Sequence, residues 1–294
     1  MRSLSEERRI VLWRRAIFLF RKFTGSEGPF HKAGFREFRI EQKIVGLGES
    51  KPDIISWRSD GEGGDQSVLI VELTLNAEKP KHDQLMRYLS LKPNQMNPLG
   101  IMMGGTPDIV VGVPERTDAD PDFCHVVLGD SLSCEWQGRL HDGLLVESLN
   151  DSVGMDLIHA PSTPFSIVPE SKFMEIRRGI APIIMQRFAP SGGSFTAESV
   201  ADEALDILGE HMDSRVRNEL VKSVAVQIGI LRDKYLKGYI ESEGDVFVLT
   251  EKGMAVHSSP QSMAKVSSQI GAWMYEKRIE TYLDDFIDAD DRVG

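Results

Sequence analysis

The sequence predicts an α/β protein in which a mixed central sheet is flanked by helices, followed by a mainly helical C-terminal part. Three observations predict it. The apolar segments of the first half run in the order helix, three strands, helix, strand, strand, which suits a layered α/β sheet. Ala189-Pro190-Ser191-Gly192-Gly193-Ser194 is the clearest linker in the chain. Beyond that linker the pattern changes to consecutive helices and a short hairpin. At 294 residues the chain is long enough for about two domains. The expected boundaries are 1–189, 190–260 and a final helix with an acidic tail over 261–294.

Residues 5–23 read as an amphipathic helix, with Ser5 as N-cap and Arg21 and Lys22 in the last turn. Ile10, Trp13, Ile17 and Phe20 recur at helical spacing and form its core stripe. Phe38–Val45 alternates as a strand, with Gly46 and Gly48 turning the chain into 51–57. Val68–Leu75 follows after a Gly-rich loop, so three strands in succession predict an antiparallel meander. Asp83–Leu91 is the next helix and Pro93 ends it. Pro107–Val113 and Phe123–Leu128 are short apolar runs that suit buried strands. Residues 137–148 are expected to add peripheral structure and 159–169 to be irregular. Glu170–Phe188 is helical, with Pro182 inside it. After the linker, helices are expected over 194–208 and 216–238, then a hairpin over 239–250, then a last helix over 262–286 with Ile270, Trp273, Ile279 and Leu283 for packing or dimerisation.

Composition sets limits. The chain is 41% apolar and 27% charged, and no apolar run approaches the roughly 18–20 residues of a membrane span. Arg14 and Arg15 interrupt the N-terminal apolar stretch, which argues against a secretory signal. Cys124 and Cys134 lack any CxxC or Cys/His spacing, so neither a disulfide framework nor a zinc site is indicated, and a cytoplasmic setting is expected. A net charge of −11 argues against a protein that simply coats nucleic acid. The charge is uneven, however: from Arg2 to Lys43 there are eleven Lys/Arg against five acids. Neither GxxxxGK[ST] nor GxSxG occurs, so an NTPase or a serine hydrolase is not indicated.

The chemistry concentrates in 51–88. Asp53 heads one apolar run and Glu72 sits inside another, VLIVELTL, where an uncompensated carboxylate is costly to bury. A divalent cation shared by the two would offset that cost, because hard cations take oxygen ligands and keep water. The Leu73 carbonyl is a further possible ligand. A bland reading is open for each residue: Asp53 as a turn residue, Glu72 paired with Arg58 or Lys43, and Gln84 and Tyr88 packing on the sheet. Pro107-Asp108 is a second Pro-Asp pair, without a well-spaced acid in the following run, and is expected to open a structural strand.

These residues resemble the PD-(D/E)XK nuclease superfamily. Pro52-Asp53 resembles its first element, Glu72-Leu73-Thr74 its second, and Gln84-Leu85-Met86-Arg87-Tyr88 the QxxxY helix of its RecB-like branch. Glu41 resembles the additional acid that many members carry ahead of these. The resemblance covers about residues 5–128 and implies a restriction-endonuclease-like fold that binds Mg²⁺ or Mn²⁺. It implies that Asp53, Glu72, Leu73 and Glu41 hold the metal while Gln84 and Tyr88 position the phosphate or scissile strand. Thr74 stands where the family carries lysine, and Lys79, Lys81 and Lys43 are the nearby replacements. Lys43 shares strand parity with Glu41.

Residues 194–258, ending in LTEKG, resemble a winged helix-turn-helix module. Lys222, Gln227, Arg232, Lys234 and Lys237 are its polar candidates for a major-groove helix. Its expected wing, Glu241-Ser242-Glu243-Gly244-Asp245, is acidic, which disfavours phosphate contact. The expectation is a metal-dependent deoxyribonuclease in restriction, phage defence or repair, with DNA as partner and a homodimer or an ATPase or helicase as further partners. The alternatives are a degenerate nuclease-like DNA-binding or assembly protein and a winged-helix transcriptional regulator.

Overall fold

Six short strands pair into one sheet in the computed structural model of the protein. The structure describes residues 4–23, 26–48, 51–59, 64–75, 82–115, 122–128, 135–153, 166–190 and 192–276. The chain divides into two compact units. One comprises Met1–Thr163 and Ile207–Val216, the other Pro164–Asp206 and Arg217–Gly294. The helix Phe173–Arg187, which precedes the linker, thus groups with the segments that follow it.

In the first unit, helix α1 is Leu4–Leu19. Ile10, Trp13, Ile17 and Phe20 are buried as their spacing predicts. Ser5 lies inside α1 rather than capping it, and the helix ends before Arg21 and Lys22. The strands of the six-stranded sheet are β1 Glu37–Ile40, β2 Ile54–Ser59, β3 Gln66–Leu73, β4 Asp108–Val113, β5 Cys124–Val127 and β6 Glu135–Gln137. Their order across the sheet is the same as in the chain. β1, β2 and β3 pair antiparallel, as the expected meander. β3, β4 and β5 run parallel, and β6 returns antiparallel. A parallel step needs a crossover, and the one from β3 to β4 carries helix α2, His82–Leu89. After β6 comes helix α3, Gly143–Asp151, capped by Asp142. The short strand and α3 are the peripheral structure that the sequence leaves open.

Both faces of the sheet are covered. On one, Ile55, Val68, Ile70, Ile109, Val111, Val113 and Val127 join Leu85 and Tyr88 of α2 in a single apolar cluster. The residues of opposite parity, Ile54, Leu69, Val71, Val110, Cys124 and Val126, are buried too. A sheet with a parallel centre demands apolar residues on both sides. That is why VLIVEL and IVVGV read as continuous apolar runs, and why an acid among them stands out.

The second unit has α4 (Phe173–Arg187), β7 (Phe195–Thr196) and α5 (Ala197–Leu205). α6 (Ile207–His211) belongs to the first unit. α7 (Ser214–Ile230) ends in a π-helical turn over Leu231–Tyr235. β8 (Ile240–Glu243) and β9 (Val246–Leu249) form the expected hairpin, and β9 also pairs with β7. Thr250 of LTEKG caps a short helical turn by accepting from the Gly253 N–H at 3.1 Å. Glycine is required at 253, since a Cβ there would lie 2.2 Å from the Tyr239 carbonyl oxygen. Helix α8 (Pro260–Met274) buries Val266, Ile270 and Trp273. Ile279 and Leu283 lie outside the described residues. No helix among the described residues is long and apolar enough to cross a membrane.

Candidate metal and phosphate site

Strand register collects three acids at one end of the sheet. Ile54 opposes Val71, so the next rung sets Asp53 against Glu72. Ile40 opposes Ile54, and one more bond, from the Glu41 N–H to the Asp53 carbonyl at 3.0 Å, extends that ladder. Glu41 then leaves the strand with φ at +55°, a region that residues with side chains rarely occupy. This ends β1 at Ile40, where the sequence predicts a strand continuing to Val45. The parity between Glu41 and Lys43 is therefore lost, and Lys43 is exposed.

All three acids are buried: Glu41 is 5% exposed, Asp53 8% and Glu72 5%. A carboxylate oxygen of Glu41 lies within 4.8 Å of one of Asp53. Asp53 Oδ2 accepts from the Leu73 N–H at 2.5 Å, so Leu73 enters the site through its amide. The Lys51 ammonium stands 2.6 Å from Glu41 Oε2. Charge placed this close and this deep requires such compensation.

The QxxxY helix acts on Glu72. Tyr88 Oη donates to Glu72 Oε1 at 2.8 Å, and Gln84 Nε2 donates to the same oxygen at 3.0 Å. Gln84 Nε2 also donates to Tyr88 Oη at 2.5 Å. Tyr88 is wholly buried. Burial first, and then the Glu72 charge, hold its phenol well above the usual range. Gln84 and Tyr88 thus fix the orientation of Glu72, and Tyr88 presents no surface to a substrate.

Thr74 donates its backbone N–H to the Gly112 carbonyl at 3.0 Å, one bond past the end of β3. Lys79 and Lys81 lie outside the described residues. The lysine that sequence reasoning missed is Lys51. Its signal was its place immediately before Pro52-Asp53, upstream of Glu72, whereas the replacements named from the sequence follow Glu72 or rest on the strand parity of 43. Arg58, a possible partner of Glu72 by sequence, instead pairs with Asp142 at 2.7 Å.

Asp108, the second Pro-Asp acid, is 6% exposed. It accepts from the backbone N–H groups of His141 at 2.6 Å and Asp142 at 3.0 Å. Burial raises its carboxyl above the ordinary value despite those two bonds. In the second unit, Gln227 is fully buried and accepts from Arg177 Nε at 2.6 Å, so it is not a groove-reading residue. Arg232 pairs with Asp233, and Lys234 with Glu276. Lys222 and Lys237 are exposed.

The donor set of the acid cluster is entirely oxygen, which fits a hard divalent cation rather than zinc or copper. Comparison with protein-family models, with curated proteins and with solved structures finds no match to this chain.

Proposed function

We propose that the chain is a metal-dependent nuclease that cleaves phosphodiester bonds in DNA. The observation that carries this is the convergence of Glu41, Asp53 and Glu72, each buried, at one rung of three neighbouring strands, with Lys51 on Glu41. Asp53 and Glu41 would hold Mg²⁺ or Mn²⁺, with Glu72 beside them. When bound, the ion supplies Lewis acidity toward a phosphoryl oxygen and a more acidic water.

The chain's own residues do the rest. Gln84 and Tyr88 hold Glu72 in one orientation. Lys51, 40% exposed, is long enough to serve both Glu41 and charge building up on a phosphate outside the cluster. It thereby takes the part that Thr74 cannot play. A restriction-endonuclease-like fold is the frame that this arrangement suits.

For the second unit the proposal is a winged-helix-like module used for protein contact. The antiparallel β8–β9 hairpin with β7 beside it supports the module. The exposed acids Glu241, Glu243 and Asp245, with Arg232 and Lys234 already paired, support protein over phosphate as its partner.

The test is incubation of the pure protein with linear, circular and single-stranded DNA and with RNA, in Mn²⁺ or EDTA, beside Asp53→Ala, Glu41→Ala and Glu72→Ala. Cutting that requires the metal and disappears in the variants is expected. Nucleic-acid binding that ignores both metal and substitutions, with no cutting of any substrate, would favour the alternative of a degenerate nuclease-like binding protein.

A further inference from the structure

The face of the sheet that carries Asp53 continues outward to an arginine–tryptophan platform at the edge strand. Glu37 of β1 opposes Trp57 of β2, and Arg39 opposes Ile55. Side chains two apart along a strand share a face, so Asp53, Ile55 and Trp57 form one row and Glu37 and Arg39 a second beside it. From Asp53 to Trp57 is four residues, or about 13 Å along the strand.

The Arg39 guanidinium sits over the Trp57 indole, 5.4 Å from the ring centroid. Both line an open pocket of about 430 Å³ together with Arg36, Glu37, Glu210 and Asp213. Arg36, Glu37 and Glu210 are exposed. Asp213 is committed locally: Oδ2 accepts from Gln42 at 3.1 Å and Oδ1 from the Arg215 N–H at 2.9 Å.

The composition of this pocket selects its ligand. A guanidinium backed by an indole offers a flat cationic surface, and unpaired nucleobases stack on such planes. Within a duplex the base faces are occupied by neighbouring bases, so the surface suits an unpaired strand. Two exposed carboxylates beside it disfavour a phosphate at that spot. They are acceptors, however, and a carboxylate accepts from the exocyclic amino group of cytosine. Arg36 remains for the flanking backbone.

We propose that this pocket holds one unpaired, amino-bearing nucleobase of the strand whose backbone reaches Asp53, so that the substrate class is single-stranded or locally opened nucleic acid. The inference rests on the nuclease reading of the acid cluster. It adds base stacking on Arg39 and Trp57 and amino-group selection by Glu37.

The test separates the two. Binding is measured by anisotropy in EDTA, using the Asp53→Ala protein and short labelled oligo-dC, oligo-dT and duplex DNA. Oligo-dC is expected to bind about tenfold more tightly than oligo-dT, with duplex weaker still. Arg39→Ala is expected to cost about tenfold for the single strands, and Glu37→Gln to level dC with dT. Oligo-dC is also expected to quench tryptophan emission in the parent protein but not in Trp57→Phe, a change that keeps an aromatic ring in place. Equal affinity for all three ligands, unmoved by Arg39→Ala, overturns the platform, as does absence of binding. If Mn²⁺-dependent cutting persists at the unaltered rate in Arg39→Ala, the platform falls and the nuclease stands. If the dC pattern appears without any metal-dependent cutting, the nuclease falls and the platform stands.

Discussion

Asp53 and Asp108 share a sequence context, aspartate after proline at the head of an apolar run, and both are buried in the same unit. Their surroundings differ. Asp108 accepts two backbone N–H groups, from His141 and Asp142, and so pins the approach to α3. Asp142 in turn caps α3 through the Leu145 N–H at 3.0 Å and pairs with Arg58. Asp53 meets Glu41 at the same end of the sheet, and Lys51 pairs with that Glu41. Both carboxylates hold backbone, Asp53 through the Leu73 N–H and Asp108 through two N–H groups, but only Asp53 lies beside Glu41 and its Lys51 partner. Burial alone therefore does not tell the two acids apart; their partners do.

Substitution at the two positions separates these roles. Asp53→Ala is expected to lower cutting by on the order of 1,000-fold. Its melting temperature should change little, because relief of the crowding between Asp53 and Glu41 offsets loss of the acceptor for the Leu73 N–H. Asp108→Ala is expected to leave the buried Asp142 N–H and the part-buried His141 N–H without an acceptor, at about 2 kcal/mol of stability. Its cutting per folded molecule should persist. Paired measurement of melting and cleavage in both variants decides the matter, and a reversed pattern would exchange the two assignments.

Lys51 sharpens the same contrast with a smaller effect. If its ammonium serves the reaction and not only Glu41, Lys51→Met will lower the cleavage rate by about 100-fold while Mn²⁺ affinity stays the same or rises. Titration calorimetry on the variant reads the affinity. Weakened metal binding with an unchanged maximal rate would leave Lys51 a structural partner of Glu41.

Much of the first unit was legible because its signals are local. Apolar runs with turn residues between them gave the meander, and QxxxY placed two polar side chains one helical turn apart, where both reach Glu72. The left-handed turn at Glu41 was not legible, because alternation continues through FRIEQKIV while the backbone does not. Lys51 escaped for a related reason: its meeting with Glu41 depends on that turn and on no sequence spacing. In the second unit, Gln227 looked like a surface residue by type. Its burial against Arg177 depends on tertiary packing, which helical periodicity does not report for a polar residue.

The smallest expected effect is a pH dependence at Asp108. Burial is the larger influence on its carboxyl and raises it from the ordinary 3.8, while the two N–H donors pull the other way. A carboxyl raised in the folded state contributes stability below the unfolded value and loses it as pH climbs through the folded one. The advantage of the natural protein over Asp108→Asn should therefore be greatest in acid and shrink as pH rises from about 3.8 toward neutrality. Denaturant midpoints of both proteins across that range measure it. A gap that widens with rising pH would mean that the His141 and Asp142 amides outweigh burial and hold Asp108 as a stabilised anion, so that its backbone bonds and not its burial set its charge state.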